Sequence, residues 1–135
     1  MTLLHDYSEF VIQQARRQGP LEAIHHAKRV VLDWLASLYP GTRCPPTTHL
    51  VQAFRDELGA GHSSVVGFGT NAFPATAAWI NGTASHAVEY DDIFREAVYH
   101  PGSLTVAAAL QPSHVRYFHS TGTIGCLGAA ACAAV

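Results

Sequence analysis

The chain is 135 residues long, a little under one ordinary domain of about 150. With 48% hydrophobic and 13% charged residues it has to bury a core, which excludes an intrinsically disordered chain. Eight Lys and Arg against ten Asp and Glu give a net charge of -2 without a basic block. Neither nucleic acid nor an anionic membrane surface is therefore expected as a partner; a small molecule or another protein is.

Cys44, Cys126 and Cys132 are odd in number and lack CxxC spacing, so neither a disulfide framework nor a thiolate zinc site is signalled. Met1 to Phe10 carries Asp6 and Glu9 and has no apolar stretch of the kind a secretory leader needs. The longest nearly apolar run, Ile124 to Val135, has twelve residues, short of the roughly 20 that cross a bilayer. The expectation is a soluble, cytoplasmic protein with no membrane partner.

In chain order, Tyr7 to Arg17 reads as a short helix with Phe10, Val11 and Ala15 on one face. Gly19-Pro20 punctuates, and Pro20 suits a first helical position because its missing N–H would have been unpaired there anyway. Leu21, Ile24, Ala27, Val31, Leu35 and Leu38 then follow helical spacing, and this clearest helix is expected to end before Pro40-Gly41. A new start at Pro45-Pro46-Thr47 leads through Leu50, Val51, Phe54 and Leu58 to Gly59 and Gly61.

Ser63 to Phe68 is the only strand-like stretch and is expected to be an extended linker or short hairpin arm, because no other segment alternates with period two. Pro74 to about Glu89 reads as a small-residue helix that lets neighbours approach closely. A polar loop from Asp91 to Tyr99 follows, and Pro101 opens a helix through Leu110. Pro112 breaks it, and His119 to Gly122 restarts the chain into an Ala-rich helix. The fold class is all-α.

Charge is unevenly spread: 17 of the 18 acidic and basic side chains lie at or before Glu96, leaving Arg116 alone in the last 39 residues. Such a segment offers no charged face to water and should be surrounded by protein. The chain is thus expected to be the beginning of a larger helical domain.

Chemistry concentrates in two clusters. Asn81 to Asp92 followed by His100-Pro101-Gly102-Ser103 gathers three carboxylates and two imidazoles within 23 residues. Asn81, Ser85 and Glu89, four apart, would share one helix face, with His86 one step round. One reading is solvated loop charges and a packed histidine. The other is an acid–base site, since imidazole titrates near neutrality and a carboxylate can orient it. His100 precedes a Pro-opened helix, whose free N–H groups could attract an anion.

The second cluster, Ser113 to Thr123, again sets His and hydroxyls at a helix start, where Ser120 or Thr121 is either a plain N-cap or part of a site. Arg116 and the free N–H groups there could hold a carboxylate. The nine histidines match no HExxH or Cys/His finger spacing, so no metal site is expected. No GxSxG elbow is present. Gly122, Gly125 and Gly128 are neither a phosphate loop nor a dinucleotide fingerprint.

Three motifs in order, Asn81-Gly82-x-x-x-His86-x-x-Glu89-Tyr90-Asp91-Asp92, His100-Pro101-Gly102-Ser103 and His119-Ser120-Thr121-Gly122-Thr123-Ile124-Gly125, resemble the MmgE/PrpD family. The resemblance implies a large helical domain with a smaller α+β lid, a homodimer, and dehydration, decarboxylation or epimerisation of a small carboxylate such as 2-methylcitrate, cis-aconitate or iminodisuccinate. It implies no metal or organic cofactor. By position, His100 and His119 match active-site histidines, and Glu89, Asp91 and Asp92 fall in the acidic motif at the pocket. The expected catalytic set is therefore His100, His119, Asp91 and Asp92, with Glu89, His86, Ser103, Arg116 and Thr121 binding the substrate.

Departures accompany the match. Glu89 stands where the family commonly has Asp, Ile93 where a Thr often follows the paired Asp, and the loop Ile93–Tyr99 differs from the decarboxylase version. A long helical stretch of the family is missing between Leu110 and Pro112, and the lid, a catalytic Lys and much of the dimer interface have no counterpart here. The expectation is a partial helical domain over residues 1–135, either a tricarboxylate lyase or epimerase, or an inactive fragment that acts only by interaction.

Overall fold

The computed structural model describes residues 3–15, 20–95, 98 and 100–110. They form five α-helices and one two-stranded hairpin, in the order α1 (Leu3–Ala15), α2 (Leu21–Gly41), α3 (Pro45–Ala53), β1 (Ser63–Val65), β2 (Thr70–Ala72), α4 (Pro74–His86) and α5 (Pro101–Ala109). The helical class read from the sequence stands. Among the described residues no helix is long and apolar enough to cross a membrane.

The central element is α4, which packs on α2, α5, α3 and the hairpin. Its small residues permit this. A Cβ on Gly41 of α2 would land on the backbone of Ala84 in α4, so the two helices meet where neither carries bulk. Trp34 and Leu38 of α2, Ala84 of α4, and Val106 and Ala107 of α5 form one core cluster. Val65 and Ala72 of the hairpin with Ala77 and Ile80 of α4 form the second. One helix thus serves two cores, with the apolar burial that drives folding on both sides of it.

Several boundaries differ from the sequence reading for identifiable reasons. α1 starts earlier, at Leu3. Pro20 is the residue before α2 and not its first residue; its carbonyl accepts the Ile24 N–H at 3.2 Å. α2 runs through Pro40 instead of stopping before it. A proline in a helix deprives the carbonyl four residues back of its donor. Here that carbonyl belongs to Ala36, and it accepts the Tyr90 hydroxyl at 2.9 Å. The helical defect is repaired by a side chain from the acidic motif. After Ala53 the chain tightens into a 3-10 turn, Arg55–Glu57, so Leu58 is off the helix.

Ser63–Phe68 is a hairpin arm, and its mate is Thr70–Ala72, antiparallel with Ser63 opposite Ala72 and Val65 opposite Thr70. A three-residue strand is too short to show alternation, which is why the sequence hid it. Gly67 and Gly69 take positive φ of 83° and 64° in the connecting turn, a conformation only glycine enters freely. Asn81 staples the hairpin to α4: its Oδ1 accepts the Val66 N–H at 2.9 Å and its Nδ2 donates to the Ser64 carbonyl at 2.9 Å.

Candidate active site

α4 ends at His86, three residues before the point its composition suggested, and Glu89 follows with φ 54°. A left-handed residue that is not glycine costs roughly 1–2 kcal/mol, and here it reverses the chain. Glu89 is therefore not on the helix face with Asn81 and Ser85, which corrects the expectation of one shared polar face. Those two are fully buried and engaged in the fold, Asn81 with the hairpin and Ser85 donating to the Gly82 carbonyl at 2.9 Å.

The reversal carries Asp91 inward and Asp92 toward α5. The Asp91 side chain is 1% exposed, and both its oxygens lie 3.2 Å from His86 Nδ1. His100 Nδ1 also lies 3.2 Å from Asp91 Oδ1, but it is buried and outside hydrogen-bonding alignment. The two imidazoles face each other at 4.7 Å between centroids, tilted by 58°. One buried carboxylate is thus held between two imidazoles whose elements are separated by the loop after α4. Sequence reasoning placed His86 with the substrate contacts; the fold makes it an equal member of the Asp91–His100 cluster.

Asp92 does what the sequence assigned to an anion beside His100. Its oxygens accept the Gly102 N–H at 3.0 and 3.2 Å, at the start of α5. A Cβ on Gly102 would meet this carboxylate, so glycine is required for the approach. Burial pushes the Asp92 carboxyl above its ordinary value of 3.8; the Gly102 N–H opposes the rise, Asp33 and Asp91 add to it, and His100 opposes it. Ser103 is buried, and its hydroxyl donates to the His100 carbonyl at 3.1 Å, holding the histidine at the helix start.

Beside the cluster lies a cavity of about 570 Å³ lined by Gly82, Thr83, His86, Glu89 and Ser103, with Trp79, Leu104 and Ala107 as apolar wall. His86 borders both the cavity and the carboxylate, whereas Asp91, Asp92 and His100 do not line it. Of the expected site residues, His86, Glu89, Asp91, Asp92, His100 and Ser103 come together around the end of α4 and the start of α5. Arg116, His119 and Thr121 lie outside the described residues, as does the whole second cluster.

Residues 5–111 match the model of the MmgE/PrpD N-terminal domain. The chain is 32% identical over 96 residues to a cis-aconitate decarboxylase of Aspergillus terreus, covering 71% of this chain and 20% of that protein. It is 30% identical over 97 residues to the cis-aconitate decarboxylase-like protein oryM of Aspergillus oryzae, covering 72% of this chain and 20% of that protein. The chain thus spans about a fifth of the length of the curated relatives it matches. No solved structure matches it.

Proposed function

The chain belongs to the MmgE/PrpD family, and from that premise we propose that it is the N-terminal, acid–base portion of a lyase that dehydrates or decarboxylates a small tricarboxylate of the 2-methylcitrate or cis-aconitate kind. The observation that carries this reading is the buried Asp91 carboxylate between His86 and His100, 3.2 Å from each. Both reactions require a proton to be moved at a carbon next to a carboxylate. Imidazole is the side chain suited to do so near neutral pH, and a buried carboxylate beside it stabilises the charged ring and fixes its orientation.

In this mechanism His86 and His100 move the proton together: His86, at the cavity edge, exchanges it with the substrate carbon, and His100, linked through Asp91, supplies or takes it up. Asp91 holds the two rings in register. Asp92 fixes the start of α5 on which His100 sits, and Glu89 and Ser103 contact the substrate at the cavity. His119, Arg116 and Thr121 complete the expected set as second imidazole and carboxylate contacts. No cofactor is required by this chemistry. Epimerisation uses the same proton transfer and is the close alternative within the family.

Because the chain covers a fifth of its curated relatives, a second reading is an inactive module that works only with further chain. One assay separates them. The purified 135-residue chain is incubated with cis-aconitate and with 2-methylcitrate, and products are followed by NMR. The lyase reading expects turnover that His100→Ala lowers by about 10²-fold or more, the usual share of a general acid or base. A folded chain with no turnover on either acid would leave the interaction module.

A further inference from the structure

α4 and α5 contain no Asp, Glu, Lys or Arg, and a helix without a charged side chain is one that protein covers on every side. Among the described residues each is covered on one side only. Trp79 of α4 is 58% exposed and Leu104 of α5 62%, and Ala108 is exposed as well. Between them runs the apolar part of the cavity of about 570 Å³, with Gly82 and Ala107 in its lining. A Cβ on Gly82 would stand 3.6 Å from that of Ala107, so the helices meet there with no side chain larger than a methyl group. Trp79 is braced by Phe54, with ring centroids 5.3 Å apart. We propose that this groove is the seat of the chain's own segment Gly122–Val135, which packs across it as a helix and covers Trp79 and Leu104.

Residues 111–135 follow α5 directly and lie outside the described residues. From Gly122 onward they include no Asp, Glu, Lys or Arg, so this segment needs cover as much as the groove does. As a helix it sets Ile124, Leu127, Ala131 and Val135, three and four apart, on one face. Branched apolar knobs on one side and a bed of Gly and Ala on the other are complementary in shape, and their contact takes apolar area of both out of water. Gly122 is twelve residues beyond Leu110, a reach of about 40 Å when extended. α5, at nine residues, is only about 14 Å long, so the chain can double back over the helix it has just left. A second exposed apolar surface, Leu21, Leu32 and Tyr39 of α2, is a poorer seat. That helix carries Glu22, Lys28, Arg29 and Asp33 and has charged side chains with which to face water. The segment takes the apolar wall and leaves His86, Glu89 and Ser103 to a substrate, so this seat and the lyase reading do not depend on each other.

Hydrogen–deuterium exchange on the full 135-residue chain, read by mass spectrometry, tests the seat. A lone helix of this length is marginal in water, so protection of its amides reports packing. Residues 122–135 should exchange about tenfold or more slowly than in the unfolded chain, because exchange then requires the seat to open. Iodide should quench little of the tryptophan emission, since Trp34 is 1% exposed in the core and Trp79, 58% exposed in the open groove, is covered. Ala108→Arg sets a charge in the groove at an exposed position, and Leu127→Arg sets one on the facing side of the segment; each should abolish the protection and let iodide reach Trp79. Leu32→Arg, on the exposed face of α2, should change neither. Should Ala108→Arg fail to fold by circular dichroism, Leu127→Arg decides, because it alters none of the described residues. Rapid exchange of 122–135 in the parent, or protection that either folded variant leaves intact, overturns the proposal. Protection that fades on dilution also overturns it, by assigning the groove to the segment of a second copy. Turnover enters neither readout, so a failure here and a failure of the lyase reading are told apart.

Discussion

Asn81 and Asp91 belong to the same polar motif and are both buried, yet they are used in opposite ways. Asn81 spends its acceptor on the Val66 N–H and a donor on the Ser64 carbonyl, so it is saturated by backbone. The partners of Asp91 among the described residues are two imidazoles, whose charge is adjustable. A buried polar side chain closed by backbone amides is architecture, because nothing around it can change state. One that faces titratable rings keeps its capacity for protons or ions. Composition alone put both in one candidate site; the identity of their partners separates them.

The comparison breaks first at Asn81. Asn81→Ala leaves an N–H and a carbonyl buried and unpaired, each worth about 1–3 kcal/mol, so a loss of about 4 kcal/mol in urea unfolding is expected. His86→Ala, by contrast, removes a half-exposed ring and leaves His100 beside the Asp91 carboxylate, and should change stability less. Similar losses in the two variants would erase the distinction drawn here. Gly41→Ala is expected to cost about 2–3 kcal/mol, in the overpacking range, because its Cβ has to push α4 away from α2; the same denaturation midpoints measure it.

Asp92 sharpens the comparison through pH. Its folded-state carboxyl sits above 3.8, so the folded chain holds that proton more tightly than the unfolded chain does. Its contribution to stability is present below 3.8 and lost as pH rises through the raised value. Asp92→Asn keeps an oxygen for the Gly102 N–H but cannot ionise. The variant should therefore gain stability over the parent between acid and neutral pH, read as the difference in urea midpoints. A difference independent of pH would show that the carboxyl is not perturbed. The smallest effect is expected for Tyr90→Phe, at most about 1 kcal/mol, since Tyr90 is 57% exposed and water can take over at the Ala36 carbonyl.

What was legible in the sequence was periodic and local. The spacing of Leu21 to Leu38 reads directly as α2, and Pro74 and Pro101 mark the first turns of α4 and α5 because an N–H is dispensable there. What escaped was non-local. Pro40 reads as a stop, yet the partner that lets α2 continue is 54 residues further on. Glu89 carries no glycine signal for the left-handed turn that brings Asp91 to His100. The site residues were found as types in a cluster, but that Asp91 joins both rings while Asp92 serves the helix start depends on that turn.

The missing amide at Pro40 acts as a mooring point. A conventional residue there would mend the helix from within, since its own N–H would reach the Ala36 oxygen that now receives the Tyr90 phenol. That oxygen would then be shared, and the segment leading into the two aspartates would hold less firmly to α2. A replacement that improves the rod would thus loosen what is tied to it.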